Sequence, residues 1–203
     1  MPFIIRPPRL RPALAACAAA LLVGAVPAQA TEITSPSQCK EPVFTQAFLY
    51  AGDSNWYTLV PGEAAGNFEG TGWTLSGGAG IKKTTLQNGK AGYVLDLPSG
   101  SSAVSPTFCV NSEYPTARAI IRNVLGSGAE VFYVGYMGTK TWEAPKNIGT
   151  ASGKGSEWTL TEPLKMHVEK TSGWQLVRLK VVGSGTKSDS QLYNLYVDPY
   201  VRR

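Results

Sequence analysis

The strongest constraint on the fold is a nine-residue run, Trp174-Gln175-Leu176-Val177-Arg178-Leu179-Lys180-Val181-Val182. In it Val177, Leu179 and Val181 alternate with Arg178 and Lys180. Successive side chains of an extended chain point to opposite faces, so the pattern predicts an antiparallel strand with one apolar and one wet side. Comparable segments, rich in β-branched and aromatic residues and bounded by Gly, Pro, Ser or Asn, recur at 43–50, 56–60, 73–75, 93–97, 108–110, 117–123, 131–137, 158–160, 165–169 and 191–197. Outside the first 30 residues no window keeps a helical period for three turns. Many short strands at intervals of about ten residues predict an all-β fold, a two-sheet antiparallel β-sandwich of the jelly-roll kind.

Residues 1–30 read as an export signal. A basic head with Arg6, Arg9 and Arg11 precedes the apolar run 13–26, and Ala28-Gln29-Ala30 forms the cleavage triplet. The apolar run is shorter than the roughly 20 residues that span a bilayer, and no later run is long enough, so no membrane anchor is expected. Leu14-Ala15-Ala16-Cys17 has the form of a lipoprotein cleavage box, but apolar residues follow Cys17 where a polar tether would be needed. The expectation is a secreted, extracellular protein. Its parts would be a signal peptide at 1–30, a short segment at 31–42 and one sandwich domain at 43–203.

Without the three signal arginines the net charge falls from +5 to +2, and the remaining cations are scattered. Nucleic acid is therefore not an expected partner. Export leaves two cysteines, Cys39 and Cys109, which in an oxidising compartment and without metal-type spacing predict a disulfide. A catalytic thiol is the competing reading, and the only base it could use is His167.

Two stretches carry a family resemblance. Gly66-Asn67-Phe68-Glu69-Gly70-Thr71-Gly72-Trp73, followed by Gly92-Tyr93-Val94-Leu95-Asp96-Leu97, resembles the opening of galactose-binding-like jelly-roll domains, the fold of many carbohydrate-binding modules. The strand from Trp174, the polar turn 184–190 and Tyr193-Asn194-Leu195-Tyr196-Val197-Asp198 resemble their close. The likeness spans about Val43 to Asp198. It implies a structural calcium held by the turn glutamate and an acid of the last strand, which here means Glu69 and, less well, Asn194. Asp198 lies too far along to match. The chain departs from the family where two adjacent aspartates are common and Tyr193-Asn194 stands instead. Calcium takes six to eight oxygens, several of which backbone can supply, so one lost carboxylate weakens such a site without abolishing it. Glu69 could equally accept hydrogen bonds from its own turn. No other cofactor is expected.

Sugar recognition needs flat rings for the pyranose face and polar groups for its hydroxyls. Trp73, Trp158 and Trp174 open strands and are expected in the core. Trp142, set among polar loop residues, and Trp56 are the candidate exposed platforms. Arg118 and Arg122 share one strand face; beside Arg178 on a concave side they would offer hydrogen-bond forks to a polysaccharide or cell-envelope glycan, with Tyr133 nearby. The competing reading has these arginines covering a solvated sheet. No nucleophile elbow, phosphate loop or zinc cluster is present, and the acids Glu69, Asp96, Glu113, Glu130, Glu143, Glu157, Glu162 and Glu169 cannot be paired from sequence. The sequence therefore predicts a non-catalytic carbohydrate-binding module. The alternative is a structural or adhesive cell-envelope protein without a glycan site.

Overall fold

The computed structural model describes residues 32–111, 115–166 and 173–198. The signal peptide, His167, Glu113 and Glu169 lie outside these. Strands β1 (Thr58–Leu59), β2 (Thr74–Ser76), β3 (Gly80–Thr85), β4 (Ala91–Pro98), β5 (Ser102–Val104), β6 (Phe108–Val110) and β7 (Thr116–Leu125) make the first half. The second half holds β8 (Ala129–Tyr136), β9 (Lys146–Ala151), β10 (Thr159–Leu160), β11 (Leu164–Lys165), β12 (Gln175–Ser184) and β13 (Asp189–Asp198). One sheet runs β10-β7-β13-β4-β3, with β1 on β13 and β11 on β7; the other runs β2-β5-β12-β8-β9, with β6 on β12. We call them the first and second sheet. The pairings are antiparallel.

The alternation read from the sequence sets the core. Val177, Leu179 and Val181 of β12 meet Phe132, Val134 and Tyr136 of β8 and face Ala117, Ala119 and Ile121 of β7 across the sandwich. Each fully buried large side chain here contributes roughly 1.5–3 kcal/mol relative to exposure. At the first sheet's edge, β3 carries Lys82 and Lys83, charges that discourage further strand addition.

A second apolar cluster lies on the outer side of the first sheet. Ile120, Tyr193, Tyr196 and Val94 point away from the sandwich interior and are covered by Phe48, Tyr57 and Leu86. This corrects the strand expected over 43–50: that stretch makes one bridge, Thr45 to Tyr57, and then turns through a short 3-10 helix, Leu49–Ala51, ending at Gly52. Its apolar residues serve as a lid and not as a sheet strand.

The opening turn docks on an irregularity of β13. Register slips between Tyr193 and Tyr196, where Asn194 adopts a left-handed conformation (φ 53°). Asn194 Oδ1 accepts the Gly66 N–H at 2.6 Å, Val60 N–H donates to Leu195 O, and Leu195 N–H donates to Glu63 Oε2. Trp73 then closes the loop by donating its indole N–H to Pro61 O. A Cβ at Gly62 would sit 2.3 Å from Thr71 O and 2.7 Å from the Trp73 ring, at φ 85°, so this position requires glycine.

Candidate functional site

The two outer faces of the sandwich differ. On the first sheet the expected arginine forks are consumed internally. Arg118 Nη1 reaches Asp53 Oδ2 at 2.5 Å, its Nε and Nη2 both donate to Thr161 O, and its guanidinium lies 5.6 Å from the Phe48 ring centre. Asp53 belongs to the lid and also accepts from Tyr57 Oη at 2.7 Å. Burial pushes the Asp53 carboxyl up, but bonds from Tyr57, the Asn55 N–H and Arg118 outweigh it and hold the group below its ordinary range. Burial, and then the bond to Asp53, push the Tyr57 hydroxyl up to about 12.

Arg122 is equally occupied. It donates to Gln191 Oε1 and Thr84 Oγ1 and stacks 4.4 Å from the Trp158 ring centre. Gln191 passes the network to Asp96, which pairs with Lys82 at 2.7 Å. Trp158 meets Tyr193 edge-on and donates to Thr85 O, so it packs on the outer cluster, not between the sheets. The face expected to be a concave sugar site is filled: Arg118 holds the lid, and Arg122 is held by Gln191, Thr84 and Trp158.

Arg178 is not beside them. It projects from β12 on the outer side of the second sheet, with the whole interlayer core between it and Arg118 and Arg122. The expected three-arginine cluster does not form, because β7 and β12 belong to opposite sheets and their polar faces point apart.

What Arg178 does meet is Trp142, with its guanidinium carbon 4.3 Å from the ring centre. The position of Trp142 is set by a tight extension of β8: Gly138 N–H donates to Thr141 O, Glu143 N–H to Tyr136 O, and Met137 bridges to Trp142. The ring reaches back over Gly135, the cross-strand partner of Arg178; a Cβ on that glycine would meet it at 3.9 Å. Arg178 is itself fixed by Thr107 Oγ1 at 3.1 Å and by the Glu32 carboxylate. In the next row Lys180, Tyr133 and Asn147 lie directly across from one another and share this outward face. A flat ring beside a lysine, a phenol and an amide results. Lys180, alternating with Arg178, was visible in the sequence pattern; Asn147 was not, since β9 was missed.

The same face carries the disulfide. Cys39 and Cys109 are joined, and Cys109 pairs across from Leu176, whose side chain is buried although it points outward. The segment from Glu32 to Cys39 is thereby bound to this face, and its Glu32 reaches the same Arg178 that stacks on Trp142. The remaining tryptophans divide as follows: Trp73 is in the core, Trp174 is half-buried, and Trp56 is exposed on the lid.

Glu69 is exposed, while Asn194 spends its amide oxygen on the opening turn; the carboxylate that reaches the same part of β13 is Glu63. Among the described residues no three His, Cys, Asp or Glu side chains group as metal ligands.

No protein-family model and no curated protein matches this chain. Similar solved structures include the CBM22-1 and GH10 modules of Clostridium thermocellum endo-1,4-β-D-xylanase 10B complexed with xylohexaose. That pair aligns at TM-score 0.47 and 15% identity, over 62% of this chain and 25% of that one. The CBM22-1 xylan-binding domain of Paenibacillus barcinonensis Xyn10C aligns at 0.39 and 14%, over 63% of this chain and 85% of that one. TmCBM61 in complex with β-1,4-galactotriose aligns at 0.38 and 8%, over 66% and 90%. These neighbours are the class of module that the opening and closing motifs resemble. At such scores the likeness carries no argument about a ligand.

Proposed function

We propose that this chain is a non-catalytic glycan-binding sandwich whose ligand lies on the outer face of the second sheet, against Trp142. The observation that supports this is the stacking of Trp142 on Arg178, which holds a flat ring in place before any ligand arrives. Such a contact is worth about 1 kcal/mol at a partly exposed site, enough to bias the ring's orientation. A preset ring lowers the ordering cost of binding. The Arg178 guanidinium is committed to Thr107, Glu32 and the ring, so it supports the platform and does not itself fork a sugar carboxylate. Lys180, Tyr133 and Asn147 are the groups placed to take hydroxyls.

Native affinity electrophoresis against a polysaccharide panel that includes xylan and β-1,4-galactan tests the reading. The protein should be retarded by at least one polymer, Trp142→Ala should run unretarded, and Trp56→Ala, altered on the opposite face, should behave as the unmodified chain. Free migration through every polymer, or equal loss with Trp56→Ala, would overturn it.

One observation favours the adhesive alternative: the lid exposes Val43, Leu49, Tyr50 and Trp56 together in a short stretch of chain. Crosslinking in intact cells through a lid residue would then capture a protein neighbour.

A further inference from the structure

At the end of the sandwich where β7 turns into β8, the interior becomes polar. Glu130 on β8 is completely buried, pointing inward in register with Phe132 and Val134, and neither of its carboxylate oxygens holds a hydrogen bond. Burying an ionised carboxylate without a partner is among the most costly arrangements a fold can contain. Asn123 faces inward from β7, nine-tenths buried, and its amide nitrogen donates to Gly128 O at 3.0 Å and Gly153 O at 3.2 Å. Two carbonyls thus pin the amide so that Oδ1, which has no partner, is the atom left facing inward.

Ser190 of β13 is the cross-strand partner of Asn123, and its hydroxyl reaches toward the Glu130 carboxyl from the facing sheet, opposing the rise that burial gives that group. That hydroxyl makes only a long contact to Leu97 O, at 3.4 Å, and is free to turn toward the carboxyl instead. The backbone adds more acceptors. Gly183 is the cross-strand partner of Glu130, and a Cβ there would meet Pro98 O at 2.6 Å and Leu97 O at 2.7 Å, so two carbonyls occupy the space of the missing side chain.

Four buried side-chain oxygens at this end, the two of Glu130, Asn123 Oδ1 and the Oγ of Ser101, whose carbonyl accepts the Gly183 N–H, have no hydrogen-bond partner. A cation serves all of them at once, and an all-oxygen set of carboxylate, amide, hydroxyl and carbonyl suits a hard ion.

We propose that Glu130, Asn123, Ser190 and the Leu97 carbonyl form a buried site for a hard, oxygen-seeking cation of the calcium type, clamping the two sheets together at this end. The site is distinct from the opening turn and from Glu69 and Asn194. Its role is structural: it ties β8 to β7 and β13 where the hydrophobic core stops.

The test uses the full exported chain after treatment with a chelator, measured with CaCl2, with MgCl2 and with NaCl at matched ionic strength. One calcium per chain should remain after gel filtration, and CaCl2 should raise the thermal midpoint well beyond the NaCl control. Glu130→Gln should fold, since its new N–H group satisfies the acceptors, and should lose the calcium response; Glu63→Gln should keep it. Asn123→Asp, which adds a carboxylate, should tighten calcium on the order of tenfold. Absence of bound calcium in both the unmodified chain and Asn123→Asp would overturn the proposal and leave Glu130 as a buried neutral acid. A calcium response that survives Glu130→Gln would overturn it too, and Asn123→Asp decides the matter should Glu130→Gln not fold.

Discussion

Single residues decide whether each face of this sandwich is open or closed. Asp53 closes one, because it joins the lid to Arg118 and to Tyr57. Removing an acceptor of charged hydrogen bonds costs roughly 2 kcal/mol, so Asp53→Asn should lower stability by that amount in a urea titration and leave Trp142 undisturbed. The pH dependence has a definite sign. Bonds from Tyr57, Asn55 and Arg118 hold the folded carboxyl below its unfolded range despite burial. Its stabilisation is therefore complete above about pH 4 and is lost as pH falls through the folded value. The acid limb of a thermal-midpoint profile should be shallower in Asp53→Asn than in the unmodified protein, and identical limbs would contradict the assignment. None of this was legible beforehand, since Asp53 and Arg118 are 65 positions apart and only the fold brings a loop acid over a strand arginine. Gly62 is the corresponding case in the opening loop: Gly62→Ala would strike Thr71 O and Trp73, and should cost roughly 3 kcal/mol by combined strain and overpacking.

At the scale of elements, the disulfide and the missed strands are instructive. Cys39 and Cys109 were paired from sequence because only two thiols follow the signal, and the bridge closes a separation of 70 residues. On the chain-entropy model that is worth about 4 kcal/mol, so Cys39→Ser with Cys109→Ser should shift the denaturation free energy by that order and uncover Leu176. Protection of the Leu176 amide from hydrogen exchange should fall in step. Long amphipathic strands such as β12 were readable from alternation alone. Strands β3, β5 and β9 were not: β3 is an exposed edge rich in Lys and Thr, β5 is three residues long, and β9 is broken by a register slip opposite Phe132 and Tyr133. The apolar stretch 43–50 misled for the converse reason. Its hydrophobic residues do bury themselves, but on the outside of a sheet, where periodicity cannot distinguish a lid from a strand.

For the whole molecule, the two-sheet architecture was legible because apolar alternation recurs along the chain, while the location of a site was not, because alternation says which residues share a face of a strand and not which sheet the strand joins. Arg118, Arg122 and Arg178 looked equivalent on that basis. The structure puts the first two on the lid-covered face and the third on the opposite outer face, stacked on Trp142. The proposed glycan site depends on that asymmetry. Backbone amide chemical shifts recorded while titrating whichever polymer-derived oligosaccharide retards the protein test it most directly. Perturbations should concentrate at Gly135, Trp142, Arg178 and Lys180, with the lid and Arg122 silent. Shifts centred on Arg118, Arg122 and the lid, with Trp142 unmoved, would contradict it.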